Sequence, residues 1–196
     1  DEPRLAIAHH FLGVAFMRKH ETAQARAAFT EAVKLSPTMP ESRTALAELL
    51  LAEGSTDMAI EQAQAAIQLN PRNVQAALIT GDAYFRKGDF AKSKRVYEAI
   101  AQALPNESLG PYRLGLVAHA EKDDVKALAY FEDALLKNPT AIEPVAQIAV
   151  IKTSQGKSDE ARRRVLRQLE AVPTNALLYT LLGQLWMMDK RVAEAE

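Results

Sequence analysis

The chain contains no cysteine, which removes disulfides, thiolate nucleophiles and cysteine-ligated zinc from consideration. That absence leaves the compartment open, because a cysteine-free chain survives in oxidising and in reducing surroundings. An excess of one charge is lacking too: 24 Lys and Arg stand against 25 Asp and Glu, a formal net charge of −1. A nucleic-acid binder usually carries a clear basic excess, and so does a protein held on anionic membrane by charge alone. Long apolar runs are also missing. The stretch from Thr174 to Met188 is broken by Asn175, Thr180 and Gln184 and is shorter than the roughly 20 residues a membrane helix needs. No segment reads as a signal peptide. Neither nucleic-acid binding nor direct membrane insertion is expected, and location stays open between cytoplasm and periplasm or envelope. What is present is a folded, soluble composition, 48% hydrophobic and 25% charged over 196 residues, a length ordinary for a repeat array.

The period is carried by proline. Pro3, Pro37, Pro71, Pro105, Pro139 and Pro173 are each 34 residues apart, without insertion or deletion. Pro40, Pro111 and Pro144 fall shortly after a periodic one. Proline lacks an N–H and clashes with the preceding turn, so it ends a helix, yet it is tolerated in the first turn of the next. All nine thus mark places where one helix stops and another begins.

Repeat positions are counted from Ala6, so that Pro37 is position 32. Position 8 holds Gly13, Ala47, Gly81, Gly115, Ala149 and Gly183, and position 20 holds Ala25, Ala59, Ser93, Ala127, Ala161 and Ala195. All are small, and small residues at a fixed phase let two helices approach closely. Position 24 is bulkier, with Phe29, Tyr97, Phe131 and Val165, although Ala63 departs. Position 27 is Ala32, Ala66 and Ala134, with Ile100 and Gln168 departing.

Each unit divides into two helices. Gly54, Gly88 and Gly156 recur at position 15, with Ser55, Asp89 and Ser158 just beyond as N-cap candidates; this pattern marks a tight helix–helix turn. Apolar residues keep helical spacing on both sides, as Leu5, Ala8, Leu12, Ala15 and Phe16 do before the first turn and Ala25, Ala28, Phe29, Ala32 and Val33 after it. No single pair can bury its apolar face alone, so stacking of neighbours supplies the core. The expected pairs span 6–39, 40–73, 74–107, 108–141 and 142–175, with 1–5 ending a preceding repeat and 176–196 a truncated sixth. A solenoid normally ends in a polar cap. Neither end reads as one, and 177–188 is strongly apolar, so the chain is expected to be a piece of a longer array.

The period and the residues Leu12, Gly13, Phe16, Ala25, Phe29, Ala32 and Pro37 resemble the tetratricopeptide repeat signature. The fourth repeat is similar to it through Leu114, Gly115, Ala127, Phe131, Ala134 and Pro139. His9 departs where the family often has Trp, and Lys152 where it has an aromatic. The resemblance covers essentially the whole chain. It implies an all-α, right-handed superhelical solenoid of antiparallel helix pairs, whose first helices line a concave groove.

Candidate catalytic and metal sites are thin. Gly156-Lys157-Ser158 ends like a phosphate-binding loop, but the glycine the full motif needs is Ile151. His9 and His10 are adjacent and point about 100° apart on a helix, with no acid or histidine at zinc spacing. His9 reads as a packing residue, and His20 sits in a turn. No nucleophile stands beside a histidine and carboxylate in the pattern catalysis requires. Catalytic, metal and cofactor-binding residues are therefore expected to be absent, and the chain is read as a non-enzyme. Arg162, Arg163, Arg164 and Arg167 read as a solvated outer face among Asp159, Glu160 and Glu170. Asn106-Glu107-Ser108 is a formal glycosylation sequon with no supporting context.

The resemblance assigns the groove to positions 2, 5, 9 and 12. Among these, His10, Val14 and Met17 come from the first repeat, Glu48 and Leu51 from the second, Leu78, Asp82 and Phe85 from the third, and Tyr112, Leu116 and His119 from the fourth. Outward helix positions without a ligand are normally polar. Many here are apolar, aromatic or Met, which favours a partner's side chains. These groove positions include no Lys or Asn for gripping a C-terminal carboxylate, as the family's chaperone-binding members do. Position 6 has no Asn ladder of the kind carried by glycosyltransferase superhelices. The expected function is a protein-interaction scaffold holding a partner peptide or helix, centred on Phe85, Tyr112, Leu116 and His119 with Leu78 and Asp82 beside them. The alternative is a structural spacer or self-assembling array, self-associating through exposed ends and resembling bacterial envelope export and polysaccharide systems.

Overall fold

The computed structural model describes residues 2–188 and contains eleven α-helices and, among those residues, no strand. In chain order these are α1 (Glu2–Arg18), α2 (Thr22–Leu35), α3 (Pro40–Ala52), α4 (Thr56–Leu69), α5 (Val74–Arg86), α6 (Phe90–Ala103), α7 (Leu109–Ala120), α8 (Asp124–Lys137), α9 (Glu143–Ser154), α10 (Ser158–Ala171) and α11 (Ala176–Met188). The all-helical expectation is met. Ala195 and the second helix of the sixth repeat lie outside the described residues. The chain divides into two compact units, Asp1–Val96 and Tyr97–Glu196.

In unit 1 the core is built from Ala25, Phe29, Leu46, Leu49, Leu50, Ala59, Ile60, Ala76 and Ile79. In unit 2 it is built from Ala127, Phe131, Val145, Ile148, Ile151, Ala161, Val165 and Leu178. The small residues do what their phase implies. A Cβ on Gly13 would stand 2.6 Å from the Phe29 ring, and one on Gly115 would stand 2.5 Å from the Phe131 ring. Both are far inside ordinary contact, so in these two repeats position 8 is glycine because position 24 is a ring. Ser93 meets the same crowding differently: its buried hydroxyl donates to the Gly81 carbonyl at 2.9 Å.

Position 15 is the left-handed turn residue in all five repeats. Gly54, Gly88 and Gly156 have φ of 83°, 74° and 73°, and His20 and Lys122 adopt 60° and 64° at the same register. A Cβ on any of those three glycines would meet nothing within 4 Å. The backbone sign, and not lack of room, favours glycine there.

Pro3 sits in the first turn of α1, which takes in residues 2–5; proline costs little in a first turn. The caps differ from the sequence expectation. Of the three expected caps, only the Asp89 side chain accepts a backbone N–H, from Lys92. Ser55 makes no side-chain cap bond, and Ser158 is already inside α10. Asn73 and Asp123 do cap, accepting from the N–H groups of Ala76 and Lys126.

Candidate functional site

Of the eleven sequence-chosen groove residues, eight lie in unit 1 and three in unit 2. In unit 1, α1 and α3 bring Val14, Met17 and Glu48 around a hollow of about 310 Å³, together with Arg18, Phe29 and Ala45. Val14 and Met17 are half-buried and Glu48 is exposed. Sequence reasoning missed Arg18, Ala45 and Phe29. Arg18 and Ala45 stand one place off the groove positions, and Phe29 is the floor, reached from α2.

His10 is held more tightly than a groove residue would be. Its ring packs on Phe11 and Phe29 with centroids 5.6 and 5.7 Å away, and its Nδ1 hydrogen-bonds the buried Ser42 hydroxyl at 3.1 Å. Burial pushes its pKa below the ordinary histidine value, and Glu41 opposes that only in part. Leu51 is a correction. It is 6% exposed and belongs to the core. Arg86, reaching from α5, donates to its carbonyl at 2.5 Å, so the next first helix closes over that register. Leu78 and Asp82 are half-buried. Phe85 is half-buried too and leans on Phe90 at 5.5 Å.

In unit 2, Tyr112 is half-buried against Phe131 at 5.9 Å. It lines a cavity of about 470 Å³ with Arg113, Asn138, Ile142 and Glu143 among others. Desolvation raises its phenol pKa; nearby Arg113 counters this and Glu143 adds to it. Leu116 packs against the same core. His119 Nδ1 contacts Asp124 Oδ1 at 2.7 Å, so the carboxylate at the start of α8 orients it. A further hollow of about 400 Å³ lies between α9 and α11, lined by Val150, Thr153, Leu181 and Gln184. Val150, Thr153 and Gln184 hold groove positions 9 and 12 of the last two repeats, and were passed over by centring the site on the middle of the array.

The arginine cluster does not form one solvated face. Arg162 is 3% exposed, pairs with Asp159 and lays its guanidinium 4.2 Å over the Trp186 ring. Arg164 forms a two-bond clamp on Glu132 at 2.9 and 3.2 Å. Arg163 and Arg167 are exposed. Gly156 and Lys157 make the α9–α10 turn. Among the described residues no three His, Asp or Glu gather as a metal site, and no helix is long and apolar enough to cross a membrane.

Repeated helix pairs, with hollows between successive first helices, are the build of a helical repeat protein that presents surfaces to other molecules. The chain belongs to the tetratricopeptide repeat family: models of that repeat match residues 11–74, 44–108, 81–142 and 118–185. Proteins of this family are generally interaction scaffolds and generally non-catalytic. A curated relative, the Type IV pilus assembly protein PilF of Pseudomonas aeruginosa, is 26% identical over 129 residues, 65% of this chain and 51% of that protein. The chain thus matches about half the length of that relative. Solved structures share the fold. PilF of Pseudomonas aeruginosa superposes with a TM-score of 0.75 at 20% identity, covering 99% of this chain and 90% of that one. A thermophilic tetratricopeptide repeat protein of Thermus thermophilus gives 0.71 at 23% identity, covering 93% and 99%. The Cut9 and Hcn1 hetero-tetramer of the APC/C gives 0.74 at 18% identity, covering 96% and 38%.

Proposed function

We propose that this chain is a protein-interaction scaffold that holds an extended or helical segment of a partner protein along its first helices. The observation that carries this reading is a burial pattern. Val14, Met17, Leu78 and Phe85 in unit 1, and Tyr112 and Leu116 in unit 2, are large side chains left half-buried at groove positions. The small residues at positions 8 and 20 are almost all sealed in the same helix pairs. Apolar surface kept in reach of solvent on a concave site favours a partner's side chains. Phe85 and Tyr112 supply large, rigid contact area, with Leu78 and Asp82 accompanying the first and Leu116 and His119 the second. Glu48 and Asp82 add negative charge, so the bound segment is apolar with at least one basic residue. The likeness to a pilus assembly protein supports a place in a bacterial envelope assembly system, with no cofactor in the scheme.

The test is capture of a partner from a cell extract by wild-type protein, Phe85→Ala, Tyr112→Ala and an outer-face variant with Arg163→Glu and Arg167→Glu. Each groove truncation is expected to cost more than about 1 kcal/mol in affinity, as anchors do. If the outer-face reversal abolishes binding while both groove variants bind normally, the functional surface is convex and the reading fails. A second reading, a structural spacer or self-assembling array, is favoured by the exposed Leu5, Phe11 and Leu12 of α1. Sedimentation at rising concentration checks it, and a monomer throughout counts against it.

A further inference from the structure

The hollow between α1 and α3 has one small residue on its wall. Ala45, at position 6, is half-buried on its wall. One repeat later the same register holds Ile79, which is 3% exposed and part of the core. There the preceding position 24 holds Ala63 and not a ring; beside Phe29 the alanine leaves the space open. Below the opening, Phe29 is fixed by the close approach of Gly13, so the floor is rigid. Met17 gives one wall that adapts its shape. At about 310 Å³ the hollow lies at the small end of binding cavities, with room for one large apolar side chain and the backbone that carries it.

Its rim carries two opposite charges. Arg18 and Glu48 are both exposed, and neither takes part in an ion pair or side-chain hydrogen bond among the described residues. Elsewhere in unit 1 Arg26 pairs with Glu53 at 3.2 Å and Lys87 with Asp57. An unpaired cation and an unpaired anion flanking an apolar socket select by charge order more than they add affinity.

We infer that this socket takes a single Leu-, Ile- or Met-sized side chain of a partner protein segment, with an acidic residue of that segment meeting Arg18 and a basic residue meeting Glu48. The inference rests on the scaffold reading and specifies one subsite of the groove. The polarity of the pair gives the bound segment one direction. A segment running the opposite way places like charges together, which costs affinity and enforces the orientation.

The experiment is selection from a random-peptide display library on the intact protein, repeated on Ala45→Ile and on the double exchange Arg18→Glu with Glu48→Arg. Expected is enrichment of an apolar anchor with acid on one side and base on the other. Ala45→Ile should weaken the selected peptides about tenfold, the loss of one good anchor. The double exchange should enrich the reversed charge order. Melting curves show whether Ala45→Ile folds; if it does not, the surface exchange carries the test alone. Peptides that show no charge order, or that the exchange leaves unaltered, overturn the inference. Peptides lost with Phe85→Ala but kept by a folded Ala45→Ile overturn it while leaving the scaffold reading standing. A library that yields no binder counts against both.

Discussion

The Ser93 hydroxyl donates to the backbone carbonyl of Gly81 at 2.9 Å, with both residues buried. A helix carbonyl normally accepts from the N–H four residues on, so this one takes a second donor across the contact between α5 and α6. Ser93→Ala removes a single net-favourable hydrogen bond and is expected to cost about 1 kcal/mol. Ser93→Val adds bulk at the same closed point and is expected to cost more. Gly81→Leu, and Ala127→Leu in unit 2, overpack helix contacts and should each lose about 1–3 kcal/mol. Thermal melts of the four variants check this; unchanged melting for both leucine variants would show the repeat phase to be wrong.

His20 and Lys122 hold the left-handed turn position that glycine holds in three other repeats. A side chain there costs roughly 1–2 kcal/mol of local strain, part of which glycine's greater freedom in the unfolded chain gives back. His20→Gly and Lys122→Gly are therefore each expected to stabilise by up to about 1 kcal/mol, additively, since the sites lie in different units. Gly54→Ala is the mirror experiment and should destabilise, although the space around it is open. Denaturant midpoints measure all three, and a destabilised His20→Gly would refute the strain argument.

His10 supplies a pH dependence whose sign follows from its surroundings. Burial against Phe29 favours the neutral ring more than nearby Glu41 opposes it, so its pKa is lower in the folded chain than in the unfolded one. The unfolded state then binds more protons in the window below the ordinary value of about 6.5. The stability His10 contributes is complete above that value and is lost as pH falls through the folded pKa. The melting temperature should drop on acidification through this window, and His10→Gln should flatten the drop. An NMR titration of the ring that finds its pKa at or above the ordinary value would remove the basis for the effect.

The fold was legible in the sequence because its determinants are local and periodic. Proline at position 32, small residues at 8 and 20 and a turn residue at 15 each act on backbone geometry, which a 34-residue period exposes directly. The candidate site was legible only in part. Position 12 can face a groove or a neighbouring helix, and Leu51 is sealed, with Arg86 bonded to its carbonyl from the following repeat. The opening beside Ala45 accompanies a difference in volume between equivalent residues, Ala45 and Ile79, that periodicity treats as one class. The arginine cluster misled for a related reason: its charges counted alike in the sequence, while Arg162 is buried and Arg163 is not.

Arg162 and Trp186 join α10 to α11 by a guanidinium that lies over the indole, 4.2 Å from the ring centre, with Asp159 paired to the same cation. Because Trp186 is the sole tryptophan, the protein's tryptophan fluorescence comes from this ring. Arg162→Ala removes both the contact with the ring and the covering of the buried stem, and is expected to cost about 1–2 kcal/mol. Arg162→Lys keeps the charge but loses the planar surface that lies on the indole, so it should recover only part of that loss. Asp159 is mostly exposed, so Asp159→Asn should matter little by comparison. Stability and tryptophan emission should move together across the series, with emission shifting red as the ring gains water. Full rescue by lysine would mean that charge, and not the planar surface, joins the two helices.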